Sequence, residues 1–289
     1  MPKAEPDATD RRSLHERIAA DLRDDIMSGE FPPGAKLPST THLKTRFDAS
    51  NATVQKALQL LKDEGLAVGR AGAAVTVREH RQRSVRPAVL MAPTAPGSPY
   101  RWLDEAAKHG TRARSDLLDV AERLPPADVR AVLGLAEGEP ALFRSQLLVI
   151  DDEPAELVSS YYPLDIAQGT ELMGRRKIKG GTSTLFAALG HPPRRSVDRV
   201  SARIPTQDQY RALNLPSSLP VLRTLRVVLS DDDRPIEATV MVKAGHLYEL
   251  EYEFTLIKTP DPPRRTPTPF PSCFLKKKIH KIQKEDIEK

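Results

Sequence analysis

Cysteine is nearly absent from this 289-residue chain, Cys273 being the single one. A lone thiol excludes an intrachain disulfide framework and fits a reducing compartment, so a cytoplasmic protein is expected. The seven histidines (His15, His42, His80, His109, His191, His246 and His280) never recur at three- or four-residue spacing. With one cysteine beside them they offer no zinc-ligand pattern, and no metal or other cofactor is expected. No apolar run reaches 18 residues, and Met1 to Arg12 is polar and charged, so neither a membrane span nor a signal peptide is expected. A P-loop, a dinucleotide fingerprint and a nucleophile-elbow pentapeptide are all missing. No motif therefore speaks for an enzyme. The length is that of two domains, each able to bury a core.

Charge is unevenly spread. Residues 1–80 hold 12 basic and 12 acidic side chains, and the formal +5 comes from Arg81, Arg83 and Arg86 and from the C-terminal tail. Near-neutrality at the front argues against a non-specific nucleic-acid coat, whose affinity depends on charge throughout. It leaves room for local phosphate contacts from helix N-termini and hydroxyls.

The most informative stretch runs from Ser50 to Gly65. Ser50 is a suitable N-cap and Gly65 a suitable C-terminal stop. Val54, Ala57, Leu58 and Leu61 fall at i, i+3, i+4 and i+7 and give one apolar face. Asn51, Gln55 and Gln59 share another face, with Lys56 beside them and no acid before Asp63. Asparagine and glutamine pair bidentately with adenine in the major groove, which suits a recognition helix, although an ordinary surface helix has the same periodicity. Upstream, Leu14, Ile18, Leu22 and Ile26 mark a first helix behind Ser13, ending near Gly29. Pro32, Pro33, Gly34 and Pro38 enforce a loop, and Ser39 or Thr40 opens a second helix carrying Leu43 and Phe47. Only Asp48 to Ser50 separate it from the third helix, a helix-turn-helix spacing. Downstream, Leu66, Val68, Val75 and Val77 alternate around a tip at Arg70, which predicts a hairpin wing.

These residues, from Leu14 to Val77, resemble the GntR family of bacterial transcription regulators. The resemblance lies in Pro32-Pro33-Gly34, Leu37-Pro38-Ser39, Ser50-x-x-Thr53-Val54, Ala57-Leu58 and Glu64-Gly65-Leu66, in that order. Departures are Thr40-Thr41-His42 after Pro-Ser, Asn51 where the family often has arginine, and Ala74 in place of a second wing glycine. The expected DNA-binding set is Ser39, Thr40, Thr41, Ser50, Asn51, Thr53, Gln55, Lys56, Arg70 and Gly72. Asn51 and Gln55 are expected to read base edges, Arg70 to enter the minor groove, and the hydroxyls and Lys56 to hold phosphates.

The expected organisation is a disordered N-terminus (1–12), a winged helix-turn-helix (13–79), a linker (80–98), a second domain (99–258) and a disordered tail (259–289). The linker is read as polar and Pro/Gly-rich, its apolar piece Ala88 to Met91 passing into a strand. The second domain shows strands at 117–120, 141–150, 156–162, 197–204, 221–229, 236–242 and 250–257. Turns fall at Asp151-Asp152-Glu153-Pro154 and Asp231 to Arg234, and a helix begins near Thr182 to Thr184. Hairpin-linked strands with few helices indicate an α+β domain on an antiparallel sheet. Six prolines between Pro260 and Pro271, then a lysine-rich end, cannot build a core.

The second domain, from about Val89 to Leu256, looks like the UTRA effector domain of the HutC subfamily. The matching elements are Gly138-Glu139-Pro140, Ser160-Tyr161-Tyr162-Pro163, Gly180-Gly181, Pro220-Val221-Leu222-Arg223, Arg234-Pro235-Ile236-Glu237 and Gly245-His246-Leu247-Tyr248. That resemblance implies a chorismate-lyase-like fold reused as a sensor. It places a small-molecule effector among Gln146, Tyr161, Lys179, Gly180, Gly181, Thr182, Glu237, Lys243 and Tyr248. The Lys179–Thr184 loop entering a helix is also a candidate anion site in its own right, or equally a capped solvent loop. Sugar-phosphate sensors of the family carry arginines where this chain has Gln146 and Leu148, an acid where it has Val158, and a tyrosine where it has Lys243. Those changes predict a less charged, more apolar ligand. The function implied is a ligand-responsive repressor, a homodimer on a pseudo-palindromic double-stranded DNA operator. Alternatives are an architectural or plasmid-maintenance DNA binder without effector, and an enzyme on the chorismate-lyase-like fold.

Overall fold

The structure, a computed structural model, describes residues 10–69, 74–79, 83–91, 101–108, 110–178, 180–216 and 219–254. Three helices open it: α1 (Leu14–Met27), α2 (Thr40–Phe47) and α3 (Asn51–Asp63). Ser13 and Glu16 form a capping box on α1, the Ser13 backbone N–H donating to the Glu16 carboxylate at 2.7 Å. Asp48 ends α2 in the left-handed region, at φ 49°, which turns the chain sharply into α3. The apolar faces of all three helices meet: Ile18, Leu22, Leu43, Val54, Ala57, Leu58 and Leu61 form one buried cluster. Arg23 ties α1 to the end of α3 through both oxygens of Glu64. Strands β1 (Ala67–Val68) and β2 (Thr76–Val77) pair antiparallel as the base of the wing.

The join, expected to pass from linker into a strand, holds a helix at that place. It contains a strand, β3 (Arg83–Val85), and a helix, α4 (Pro87–Met91), followed by α5 (Arg101–Lys108). Proline at the first helical position pre-sets φ and gives up no intrahelical bond, so Pro87 starts a helix where the apolar run alone suggested extended chain.

Six strands make the main sheet: β4 (Ala113–Arg123), β5 (Ala141–Ile150), β6 (Glu153–Tyr162), β7 (Arg195–Arg203), β8 (Val221–Leu229) and β9 (Pro235–Ala244). Their order is β4-β5-β6-β9-β8-β7, every neighbour antiparallel. Asp151 and Asp152 both take positive φ, 46° and 66°, the conformation that a two-residue hairpin turn requires. The helices between strands are α6 (Ala127–Leu133), α7 (Leu164–Ala167), α8 (Gly181–Ala188) and α9 (Gln207–Ala212). One face of the sheet is covered by α6, whose Val129 and Leu133 pack on Phe143, Tyr161, Leu225 and Ala238. The other face carries a cavity.

The last strand is a correction. Instead of an eight-residue strand at 250–257, β10 covers Tyr248–Leu250 and pairs parallel with β3, outside the main sheet. Both edges of β9 are already taken by β6 and β8, so the chain leaving β9 has no free neighbour there. Residues 251–254 are not strand, although the Glu251 N–H still donates to the Val85 carbonyl oxygen at 3.0 Å, and 255–257 lie outside the described residues. Gly245 sits at the reversal because nothing larger fits: a Cβ there would lie 2.3 Å from the Pro220 carbonyl oxygen. No helix of the described residues is long and apolar enough to cross a membrane.

Candidate functional site

Two surfaces collect the residues singled out by sequence. The first is formed by the beginnings of α2 and α3. Ser39 caps α2, its hydroxyl accepting from the His42 backbone N–H at 3.2 Å, and Ser50 caps α3, accepting from the Thr53 N–H at 3.1 Å. Neither helix has an acid in its first turn, so both positive dipole ends are left uncompensated and open. Asn51, Gln55 and Lys56 are exposed on the side of α3 away from its buried stripe. Gln55 Nε2 donates to Thr40 Oγ1 at 3.2 Å, which brings the start of α2 against the middle of α3. Thr41 is exposed beside Thr40, and Thr53 is half-buried. Gln59 is held by Asp63, to which it donates at 2.7 Å. Arg70 and Gly72 lie outside the described residues.

The second is a cavity of about 210 Å³ on the sheet face opposite α6. Side chains alternate across a strand, so one face receives every second residue. Glu156, Val158, Ser160 and Tyr162 of β6 point in, as do Glu237, Thr239, Met241 and Lys243 of β9. Gln146 and Leu148 line it from β5, and Gly180, Gly181 and Thr182 from the start of α8. Lys179 lies outside the described residues. Two expected members stand elsewhere. Tyr161 is on the opposite face of β6, its ring 5.1 Å from that of Phe143 beneath α6. Tyr248 is buried in a cluster with Trp102, Leu148 and Ile150 and is not part of the cavity wall. For Tyr161 the reason is parity: its neighbours Ser160 and Tyr162 take the cavity face.

The cavity is polar at its floor. Glu237 accepts from Thr182 Oγ1 at 3.0 Å and from Thr239 Oγ1 at 2.7 Å. Burial pushes its carboxyl above the usual value, against the lowering effect of those two hydroxyls. Lys243 is paired with Glu156 at 2.8 Å, and Arg226 makes a two-pronged pair with Asp198, both bonds 2.7 Å. Arg144 donates to three carbonyl oxygens, of Leu172, Gly174 and Arg176, at 2.5 to 2.7 Å, and burial lowers its pKa. It thereby pins the segment leading to α8. Thr224 Oγ1 is buried with no hydrogen-bond partner among the described residues, and its side chain borders the cavity. Such a group is completed by water or ligand. Ser115, Arg144, Ser160, Asp198, Thr224, Arg226 and Thr239 were not foreseen. The available signal was a polar residue at every second position within strands that must be buried on both faces.

Comparison with known proteins agrees along the chain. A family model for the UTRA domain matches residues 108–249, and one for bacterial regulatory proteins of the gntR family matches residues 14–77. An uncharacterised HTH-type transcriptional regulator of Streptomyces coelicolor is 26% identical over 266 residues, 89% of this chain and 95% of that protein. The HTH-type transcriptional regulator GgaR of Escherichia coli is 24% identical over 243 residues, 83% of this chain and 91% of GgaR. The crystal structure of a protein described as a GntR-family transcriptional regulator superposes with a TM-score of 0.57 at 23% identity, covering 85% of this chain and 99% of that one. At that identity the likeness speaks to the fold.

Proposed function

The chain belongs to the GntR family of bacterial regulatory proteins, with a UTRA domain behind its winged helix, and from that footing we propose that it is a repressor released from DNA by a small molecule. The observation that carries this reading is the pairing of two open, acid-free helix starts in one domain with a lined cavity in the other. Asn51 and Gln55 read base edges, while Thr40, Thr41, Thr53 and Lys56 meet phosphates. Ser39 and Ser50 present the helix ends. Arg70 and Gly72 of the wing reach the adjoining groove. One winged helix buries too little surface for tight, specific binding, so the protein acts as a homodimer on an inverted repeat. As a DNA-binding regulator it works in the cytoplasm, by binding rather than by catalysis.

The effector occupies the cavity over Gln146, Thr182, Glu237 and the edge of α8. Of the five cations that line the cavity among the described residues, three face it already engaged within the chain, Lys243 by Glu156, Arg226 by Asp198 and Arg144 by carbonyls, and Arg101 and Lys177 are the other two. Leu148 and Val158 add apolar wall. These features favour an uncharged ligand whose hydroxyl or amide groups meet Glu237 and Thr224.

The test is selection of binding sites by the full chain from a random DNA pool, with light scattering on the free and bound protein. An enriched inverted repeat bound by two chains is expected. A pool with no enriched sequence, or a monomer in both states, would overturn the proposal.

A further inference from the structure

A second cavity, of about 480 Å³, opens between the winged helix and the β7–β8 side of the sheet. Met27 and Leu66 wall it from the first domain, and Val200, Leu222 and Tyr252 from the second. Met27, Val200 and Tyr252 are 40%, 43% and 46% exposed, so three of the exposed large apolar side chains converge on one place. Among the described residues, Leu250 alone borders both this cavity and the polar one. Isolated exposed apolar residues need no explanation, whereas a concave cluster marks a binding site.

One polar side chain in the wall has nothing to bind. Both ring nitrogens of His246 are shut off from solvent and lack a hydrogen-bond partner among the described residues. Burial holds the imidazole below its usual pKa, with Arg78 adding to that effect and Glu153 opposing it. The neutral ring therefore offers one donor and one acceptor. Arg23, the cation of the lining, is already taken by Glu64. A largely apolar wall of this volume, with His246, Arg23, Tyr248 and the exposed Glu249 among its polar members, is the usual form of a small-molecule site, for which about 300–1,000 Å³ is typical.

We propose that this interdomain cavity is a second ligand site, taking a small uncharged molecule with an apolar body and one hydroxyl-like group that pairs with His246 once the imidazole, whose nitrogens are closed to solvent as it stands, turns toward the occupant. It is distinct from the effector cavity over Glu237 and does not depend on what that cavity binds. Its walls come from both domains, so an occupant fastens one relative placement of the winged helix over others.

The probe is 4-butylphenol, titrated into the full-length protein by calorimetry and saturation-transfer NMR. One saturable site per chain is expected, with butylbenzene, which lacks the hydroxyl, bound roughly tenfold more weakly, the scale of one hydrogen bond. His246→Phe should bring the two compounds to equal affinity. Ala202→Trp, at an exposed position of β7 that lines the cavity, should abolish binding of both while near-UV circular dichroism stays unchanged. No saturable binding, binding that survives Ala202→Trp, or equal affinities for the two compounds on the unaltered protein would overturn the proposal. So would an Ala202→Trp variant that changes oligomeric state when the unaltered protein binds no phenol, since a second copy of the chain would then cover this face.

Discussion

The Lys243 ammonium lies 2.8 Å from the Glu156 carboxylate, directly across the β6–β9 ladder, and each side chain is only 5% exposed. Sequence placed Lys243 among the effector contacts, but its charge is committed to Glu156 inside the cavity wall. Removing one partner strands the other charge out of water, which typically costs about 3–5 kcal/mol. Lys243→Met should therefore destabilise strongly in urea denaturation, and Glu156→Leu combined with Lys243→Met should recover most of the loss. A single variant within 1 kcal/mol of the unaltered protein, on the order of a surface pair, would show that the charge is not buried as described.

On DNA, Gln55 and Lys56 should separate. Gln55→Ala is expected to cost about 1–3 kcal/mol on the operator and to relax discrimination at one position. Lys56→Ala should weaken all sequences alike and lower the salt slope by about one. Titrations over a salt series, on operator and on scrambled DNA, distinguish them. Equal, sequence-independent losses would remove Gln55 from base reading.

Glu237 makes stability depend on pH with a definite sign. Its folded carboxyl is raised above the usual value near 4.5 by burial. Below that value both folded and unfolded chains hold the proton, and the contribution is complete. As pH rises through the folded pKa, the unfolded chain has already ionised and the contribution is lost. The melting temperature of the unaltered protein, measured relative to Glu237→Gln, should thus fall with rising pH above about 4.5. A difference that is flat or rises with pH contradicts the burial of this group.

Gly245→Ala tests the close approach to Pro220. With 2.3 Å between the added Cβ and a backbone oxygen, the chain has to move rather than a flexible side chain. Overpacking of this kind costs about 1–3 kcal/mol or more. Chemical denaturation should show it, and a neutral substitution would mean that the turn is looser than described.

The winged helix was legible because each local signal agreed with the next. Ser50 caps α3 as expected, Ser39 of the two candidates caps α2, and the stripe Val54, Ala57, Leu58 and Leu61 is buried. In the second domain the six strands of the main sheet were visible, as was the helix after Gly180-Gly181, but α5, α6, α7 and α9 were not. Each of those is eight residues or shorter, and α5 follows directly on a proline-rich stretch. Site membership was harder to read than element identity. A strand's face is set by register, which is long-range: Tyr161 and Tyr162 are adjacent, yet they lie on opposite sides of the sheet. The four positions that separate this chain from sugar-phosphate sensors, Gln146, Leu148, Val158 and Lys243, do all border the cavity. The ion pairs on its floor, Arg226 with Asp198 and Lys243 with Glu156, join residues 28 and 87 apart, and no spacing in the sequence announces them.

Control of DNA binding from the polar cavity is the central claim, and one titration tests it most directly. Metabolites are screened by thermal shift. A hit whose stabilisation is lost in Thr239→Trp, which fills the cavity, is then held at saturation while the operator is titrated. The expected result is operator affinity weakened about 5- to 150-fold, a coupling of roughly 1–3 kcal/mol. Operator affinity unchanged within error, with the cavity demonstrably full, would contradict the account and leave a DNA-binding protein that its ligand does not regulate.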